Sequence, residues 1–396
     1  MRQYYRFRRS VVFWPWLLLA LAAGRSAVAQ NIQEGPFRMN LGFTAGADFR
    51  DNANLSENHP KADCLLTVGP TLSGGVYLPF SGGEEFTLSV AATYSHSLTG
   101  VQSDSFGAPL DAALVLPVYI AEWNVVMSDN FNYQNDALAS TFAVDQSQLT
   151  EYANIATVSA TRQLGKFSTT FAAQRTDDWY PTDPNQNELD YQLSFTPAYY
   201  FREGYSIFLR NAYGVSYLND PTLRDSTGHS IALGVNGQIT PSLNGTISLG
   251  WAETDLKATK TNGVDHIDGV SALAAVSYTH PLRPNTTHTI SVFHDPGISL
   301  ELKDSSITSV TGVNYTIAHR LNRYMTLAPS VGWSHLESLS GSSEIADLIV
   351  VGISLQRQFT KKLSGTFAYR YQTRSSNLAG QSYDVNEVQV NLNYTF

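Results

Sequence analysis

The chain ends with the stretch VQVNLNYTF, residues 388–396, in which apolar and polar side chains alternate without a break. A repeat of two residues is that of a β-strand, whose successive side chains point to opposite faces of the sheet. The apolar face of this strand includes Leu392, Tyr394 and the terminal Phe396. Gram-negative outer-membrane barrels end in such a strand, so we predict that these three residues form the signal that the barrel assembly machinery recognises.

From residue 151 onward the chain repeats one pattern, in which strands of roughly 12 residues are joined alternately by short turns and by longer polar loops. The short turns fall near residues 164–166, 202–204, 240–242, 283–285, 320–322 and 360–362. Strict alternation of short and long connections is expected when one set faces the periplasm and the other faces outside. We therefore predict an all-β fold, a transmembrane antiparallel up-and-down β-barrel.

The first third of the chain adds further strands near residues 37–50, 65–78 and 86–97. Another pair, near 112–120 and 122–133, keeps both termini in the periplasm and gives a total of about 18 strands. The total is about 16 if that pair is one bent strand. Because an unpaired backbone amide is costly in hydrocarbon, the last strand must pair with the first.

The first residues have the pattern of an export signal. Arg2, Arg6, Arg8 and Arg9 precede an apolar stretch over residues 11–23, and Ala27-Val28-Ala29 is a small-x-small cleavage site. The apolar stretch is shorter than the roughly 20 residues that cross a bilayer as a helix. We therefore predict a signal peptide over residues 1–29 and an outer-membrane β-barrel over 30–396.

Composition agrees with a membrane barrel better than with a soluble protein. Charged residues make up 15% of the chain, against about 25% in soluble proteins. Tyrosine and phenylalanine are abundant, at 21 and 19 residues. The mean hydropathy of -0.16 is compatible with a barrel, because a barrel hides its hydrophobicity in alternate positions.

The charge balance and the motifs exclude several classes of function. Without residues 1–29 the basic residues fall from 25 to 20 against 34 acidic ones, so the formal net charge is -14, which argues against a nucleic-acid partner. The single Cys64 cannot form an internal disulfide. The sequence contains no hydrolase, zinc-protease or phosphate-loop motif. We therefore expect neither an enzyme nor a bound cofactor or metal.

Three patterns leave alternatives open. Asp177-Asp178 has the composition of a protease dyad, although solvated loop charge is the favoured interpretation. The acid-rich segment from Asp48 to Asp63 has oxygen ligands suited to calcium, but its spacing matches no defined calcium loop, and solvation of the loop is the favoured interpretation. Residues 134–150 form the longest candidate for a loop that folds inward and narrows a pore, and an external loop is the favoured alternative.

A barrel of about 18 strands is too wide for side chains alone to fill, so it holds water, a plug or an infolded loop. Charged residues at inward positions are few, and Arg210, Arg370 and Glu387 stand out. If the last hairpin is symmetric about residues 378 and 379, Arg370 lies opposite Glu387. We predict a cross-strand ion pair there, with a structural role favoured over a substrate contact.

Residues at both ends of the chain carry a resemblance to a known family. They are Phe49-Arg50-Asp51-Asn52, Ala62-Asp63 and Val68-Gly69-Pro70 at the start, and Tyr369-Arg370-Tyr371, Arg374, Ser376-Asn377, Tyr383, Asn386, Tyr394 and Phe396 at the end. With these residues the chain resembles the putative β-barrel porin family of type 2. The resemblance implies an outer-membrane barrel with a porin-like role, in a family of which some members are associated with exopolysaccharide systems. It implies no catalytic residues.

The sequence therefore predicts a porin-like passive channel for small hydrophilic solutes in the outer membrane, with both termini in the periplasm. Its expected partners are outer-membrane lipid, lipopolysaccharide and the barrel assembly machinery. The alternative function is a non-conducting barrel that acts as a structural or export partner of a surface-polysaccharide system, which would add polysaccharide export components as partners.

Overall fold

In the computed structural model the described residues are 32–78, 84–107, 110–120, 122–135, 150–181, 187–219, 225–256, 266–280, 285–298, 307–338 and 344–396. The predicted signal peptide, residues 1–29, and nearly all of the candidate inward loop, residues 134–150, lie outside them. Among the described residues, no helix is long and apolar enough to cross a membrane.

The described residues form one antiparallel sheet. Its strands are β1 (Ile32–Glu34), β2 (Phe37–Arg50), β3 (Asp63–Leu78), β4 (Glu84–Ala91), β5 (Thr93–Ser97), β6 (Ser105–Gly107), β7 (Leu110–Ile120), β8 (Trp123–Asn135), β9 (Thr150–Leu164), β10 (Phe167–Trp179), β11 (Glu188–Arg202), β12 (Tyr205–Leu218), β13 (Ser226–Thr240), β14 (Leu243–Leu256), β15 (His266–Thr279), β16 (Thr286–Ile298), β17 (Ile307–Asn322), β18 (Met325–Ser338), β19 (Ile345–Gln358), β20 (Leu363–Ser376) and β21 (Tyr383–Thr395).

The sheet closes on itself because β21 pairs with β2, from Gly42 opposite Thr395 to Arg50 opposite Glu387. We call this junction the seam. Two barrel strands are interrupted. One consists of β4 and β5, which both pair with β3. The next consists of β6 and β7, of which β6 pairs with β5 and β7 pairs with β4. Counting each interrupted strand once, and leaving out the short β1, the described residues form the predicted barrel of 18 strands. The alternative of 16 is excluded because β7 and β8 are separate antiparallel strands.

The break between β4 and β5 has a local cause in the neighbouring strand. Ala92 leaves the ladder there, and its amide donates to the carbonyl of Pro70 over 3.0 Å. Its own carbonyl oxygen would lie 2.0 Å from a Cβ at position 69, so only glycine fits at Gly69. Such an irregularity bends a strand without opening the sheet.

Short and long connections alternate around the barrel as predicted. One end carries tight turns such as Gly165-Lys166 and Glu203-Gly204, in which each glycine has a positive φ. The other end carries the longer loops, including residues 51–62, 98–104 and 377–382. The first residue of β2 and the terminal Phe396 both lie at the short-turn end, because each is one strand away from a long loop.

The two faces of the wall differ in the way the alternation predicts. Ile247 and Leu249 on β14 each expose 62% of their surface on the apolar face, which is what side chains in contact with lipid require. The opposite parity carries mainly serine, threonine, asparagine and glycine, such as Ser248 and Gly250. A closed sheet with an apolar exterior and a polar interior is therefore the frame in which the functional residues sit.

Candidate functional site

A network of charged residues lies on the inward face at the long-loop end, where the seam closes. Arg50 is the last residue of β2, and its Nη2 atom lies 2.8 Å from Glu387 Oε1 and 2.7 Å from Asp48 Oδ2. The Nε atom of Arg50 also donates to Glu387 Oε1 over 3.1 Å. All three side chains are at most 13% exposed, so the closing strands are joined by an ion pair shielded from solvent.

Two of the predicted lumen residues, Arg370 and Glu387, occupy the same region. The register of β20 and β21 places Arg370 directly opposite Glu387, as hairpin symmetry requires. Arg370 also donates a hydrogen bond to Gln372 Oε1, two residues further along β20. Glu387 thus lies between Arg370 on one neighbouring strand and Arg50 on the other. The ion pair between Arg370 and Glu387 stays a prediction.

A second ion pair is buried more deeply towards the loops. Arg374 on β20 is 2% exposed, and its Nη2 atom lies 2.8 Å from Oε1 of Glu344. The same carboxylate oxygen accepts a hydrogen bond from Ser376 Oγ over 2.6 Å, and Arg374 donates to the carbonyl of Gln381. Because the guanidinium is almost fully desolvated, these acceptors are needed to offset the cost of burying its charge.

Uncharged side chains complete this part of the interior. Gln372, which is 1% exposed, donates to the hydroxyl of Tyr383 over 2.7 Å. Next to it, Leu336, Ala346 and Leu348 form an apolar cluster on the inward parity of β18 and β19. Apolar burial at inward positions is unusual for a wall facing water, so another part of the chain must cover this stretch.

The loop of residues 51–62, which we call the first loop, provides cover at the seam. Leu55 in this loop is 1% exposed and has a φ of 49°, a left-handed conformation that is unfavourable for leucine. Asn52 donates to the carbonyl of Asp384 over 2.9 Å. Glu57 accepts hydrogen bonds from the amides of Gly380 and Ser382. The first loop is therefore held against the last loop, residues 377–382.

The carboxylates that suggested a calcium loop have other partners. Asp51 accepts hydrogen bonds from the amide and the side chain of Asn386, while Asp48 and Glu57 make the contacts given above. Asp63 accepts from Ser97, Thr99 and Gln102. No metal-binding cluster of three or more such side chains occurs in the described part of the chain. These acids organise the loops around the seam.

One of these loops, residues 98–104, is bound at both ends. Asp63 holds its first half, and Asp104 holds its second half through His96 at 2.9 Å and the amide of Ser97 at 3.0 Å. The hydrogen bond with His96 lowers the pKa of Asp104, with a further contribution from the Ser97 amide. The carboxylate therefore keeps its charge to a lower pH than an unperturbed aspartate does.

Across the lumen from the seam, the inward parity of β10 and β11 is acidic. We call Asp178, Glu188 and Asp190 the acidic wall. Asp178 lies opposite Glu188 in the register of these strands, and Glu188 accepts a hydrogen bond from Ser216 Oγ over 2.6 Å. The predicted lumen residue Arg210 lies on the next strand, β12, on the same parity and exposed.

The two sides differ in net charge. At the seam Arg50, Arg370 and Arg374 are balanced by Asp48, Glu344 and Glu387. On the opposite side the three carboxylates of the acidic wall face the lumen, and Arg210 lies six residues along β12 from Ser216, the residue opposite Asp190. The interior at the long-loop end therefore carries an excess of negative charge on one side.

Two residue pairs with the composition of a catalytic site do not converge. Asp177 lies on the outer parity, where its carboxylate is 2.8 Å from Arg175 Nη2, while Asp178 is on the inner parity of the same strand. His288 and Ser291 also have opposite parities on β16, and His288 contacts the Tyr315 hydroxyl over 2.8 Å. Neither pair can act on one bound molecule.

The residues of the predicted assembly signal lie at the seam on the outer face. Leu392 and Tyr394 are 44% and 38% exposed, and the rings of Tyr394 and Phe396 pack edge to face with centroids 5.2 Å apart. The amide of Phe396 donates to the carbonyl of Leu41 over 2.9 Å. Recognition of these residues by the assembly machinery stays a prediction.

Comparison with solved structures shows the same type of barrel. OccK2 (OpdF) of Pseudomonas aeruginosa is 13% identical with a TM-score of 0.50, and the match covers 90% of this chain and 98% of that one. OccAB2 of Acinetobacter baumannii is also 13% identical, with a TM-score of 0.49 and coverage of 92% and 99%. At these identities the likeness to OccK2 shows the fold alone. A search among curated proteins found no match.

Comparison with protein families gives a direct assignment. The model of the family described as putative beta-barrel porin 2 matches residues 125–396, which is more than half of the chain and includes most of β8 and all of β9 to β21. The match agrees with the closed wall, the lipid-facing parity and the polar interior. The chain therefore belongs to the putative beta-barrel porin 2 family and is an outer-membrane porin-like barrel.

Proposed function

We propose that the protein is a passive channel that admits small hydrophilic solutes across the outer membrane by diffusion. The observation that carries this proposal is the closed barrel of 18 strands with an inward parity of serine, threonine, asparagine, glycine and charged residues. A barrel of this size has an interior wider than its side chains can fill. Diffusion through water requires no bound cofactor and no catalytic group, so the protein acts as a channel and not as an enzyme.

The proposal includes an orientation. Short turns face the periplasm in outer-membrane barrels and long loops face outside, so both chain ends are periplasmic, and the seam network and acidic wall lie near the external mouth. Lipid and lipopolysaccharide surround the wall, and the barrel assembly machinery inserts it.

Conductance of the full mature chain, refolded into a planar lipid bilayer, tests the channel function. We expect steady single-channel steps in potassium chloride. A bilayer that stays sealed, although the same sample migrates as a folded, heat-modifiable barrel on a gel, would contradict the proposal. That outcome would favour a non-conducting barrel that serves a surface-polysaccharide export system.

The unbalanced acidic wall predicts a preference for cations. We expect the double variant Asp178→Asn/Asp190→Asn to lower the cation-to-anion permeability ratio by roughly twofold, since carboxylates that line a pore concentrate cations and salt screens the effect. The reversal potential in a gradient of potassium chloride measures that ratio.

The matched control for this prediction is Glu253→Gln/Asp255→Asn. These two carboxylates lie at the long-loop end of β14, on the outer parity with Trp251. Their removal should leave the permeability ratio unchanged. Equal reversal potentials for the wild type and the Asp178→Asn/Asp190→Asn variant would show that the acidic wall does not face the conducting path.

A further inference from the structure

The outer face of the barrel carries charge at an unexpected depth on one side. On most strands the outward acids lie at the long-loop end, as do Glu253 and Asp255 on β14 and Asp347 on β19. Asp129 is different, because it lies in the middle of β8 on the outer parity, between Met127 and Phe131. Its side chain is exposed and has no hydrogen bond or ion pair within the described part of the chain.

The aromatic residues on neighbouring strands define how deep Asp129 lies. Trp123 begins β8 at the short-turn end, and Tyr133 near the other end packs on Tyr152, which in turn packs on Trp179. With a rise of about 3.3 Å per residue and a tilt of about 40°, Asp129 lies about 15 Å above Trp123. The apolar band of such barrels is roughly 25 Å tall, so this carboxylate is at the level of lipid tails.

A cation lies near Asp129, at a depth that differs by about 6 Å because the hydrogen-bonding direction shares the tilt of about 40°. The registers place Asp129 opposite Ala156 on β9, and Ala156 opposite Arg175 on β10. Arg175 contacts Asp177 over 2.8 Å and lies 6.0 Å from the centre of the Tyr191 ring. Two strand spacings therefore separate Asp129 from Arg175, with only the methyl group of Ala156 between them on this face.

A groove of about 400 Å³ follows this line across β7 to β11. Its floor includes Ala156 and Ala173, and Met127, Val158 and Leu193 are among the apolar side chains around it. We call Asp129, Ala156, Ala173, Arg175 and Asp177 the outer patch. Lipid tails can fill a groove, but they offer no partner to a carboxylate, and charged groups facing hydrocarbon are costly.

We propose that the outer patch is the contact surface for a second copy of this chain. The patch carries both signs of charge, so it is complementary to itself. In a twofold arrangement Asp129 of one copy meets Arg175 of the other, and the second contact repeats the first. The small side chains on the floor of the groove let the two walls approach closely, and the pairing withdraws both charges from lipid.

Cysteine cross-linking in outer membranes tests this contact. In a Cys64→Ser background, Ala156→Cys places a thiol in the outer patch, and Ala272→Cys on β15 places one on the outer parity six strands away around the barrel. We expect a bifunctional maleimide to give a band of twice the chain mass for Ala156→Cys and none for Ala272→Cys. Equal cross-linking at both sites, no dimer band for a folded Ala156→Cys protein, or an adduct with a different protein would overturn the proposal.

Charge exchange tests the specific pairing. We expect Asp129→Arg alone and Arg175→Asp alone to reduce the cross-linked dimer at Ala156→Cys at least fivefold, through like charges facing each other. The double variant Asp129→Arg/Arg175→Asp should restore it, because the complementary pair forms again. Heat-modifiable migration verifies that each barrel is folded. Single variants that dimerise as well as the parent, or a folded double variant that stays monomeric, would contradict the assigned pairing.

Discussion

A chain that stops at Thr395 is expected to lose folded protein in the outer membrane by at least about tenfold, because a chain that the assembly machinery does not recognise is not closed into a barrel, and its strand edges cannot enter hydrocarbon. Removal of Phe396 deletes the amide that binds the Leu41 carbonyl and the ring that packs on Tyr394. It also deletes the last residue of the predicted assembly signal. The heat-modifiable band in purified outer membranes measures the loss.

Two controls separate the signal from the seam contacts. Phe396→Trp keeps a terminal aromatic residue and should retain most of the folded protein. Refolding of the truncated chain into detergent requires no assembly machinery, so good refolding together with absence from the membrane identifies a defect in recognition. Normal amounts of folded truncated protein in cells would show that Phe396 is needed neither for recognition by the assembly machinery nor for the seam contacts.

The variant Arg374→Ala is expected to lower the free energy of unfolding by about 3 to 5 kcal/mol, the usual cost of removing one partner of a buried ion pair. It leaves the carboxylate of Glu344 buried with Ser376 as its remaining partner in this network. Urea-induced unfolding of the refolded barrel in lipid vesicles measures the change, provided that the transition is reversible.

The matched control is Arg357→Ala near the short-turn end of β19. Arg357 is exposed and lies over the Phe359 ring at 5.2 Å, so its loss should change stability by about 0.5 kcal/mol or less. The double variant Arg374→Leu/Glu344→Leu removes both charges and should be less destabilised than Arg374→Ala. An Arg374→Ala protein as stable as the control would show that the pair is hydrated.

The sequence was sufficient for the features that depend on local periodicity. Alternation within each strand predicted which side chains face lipid, and the contrast between short turns and long loops predicted the direction of each strand. Hairpin symmetry was enough to place Arg370 opposite Glu387. These features follow from the repeat of two residues and from chain connectivity, so no distant contact is needed to find them.

The seam contacts could not be found in this way. Arg50 and Glu387 are 337 positions apart, and their register depends on how all the intervening strands stagger around the closed wall. The acidic wall, in contrast, could have been found, because Asp178 and Glu188 lie opposite each other in one hairpin, to which the symmetry argument used for Arg370 and Glu387 also applies. Leu55 offered a usable signal, since a large aliphatic residue in an otherwise polar loop indicates that part of the loop is covered.

The contacts between Asn52 and Asp384, and between Glu57 and Gly380, join segments from opposite ends of the polypeptide. They can form only after the first and last strands have met, so no partly inserted intermediate displays this surface. An antibody whose epitope spans residues 51–62 and 377–382 would consequently bind finished barrels alone. The contacts between the first loop and the last loop therefore distinguish a closed barrel from a partly assembled one.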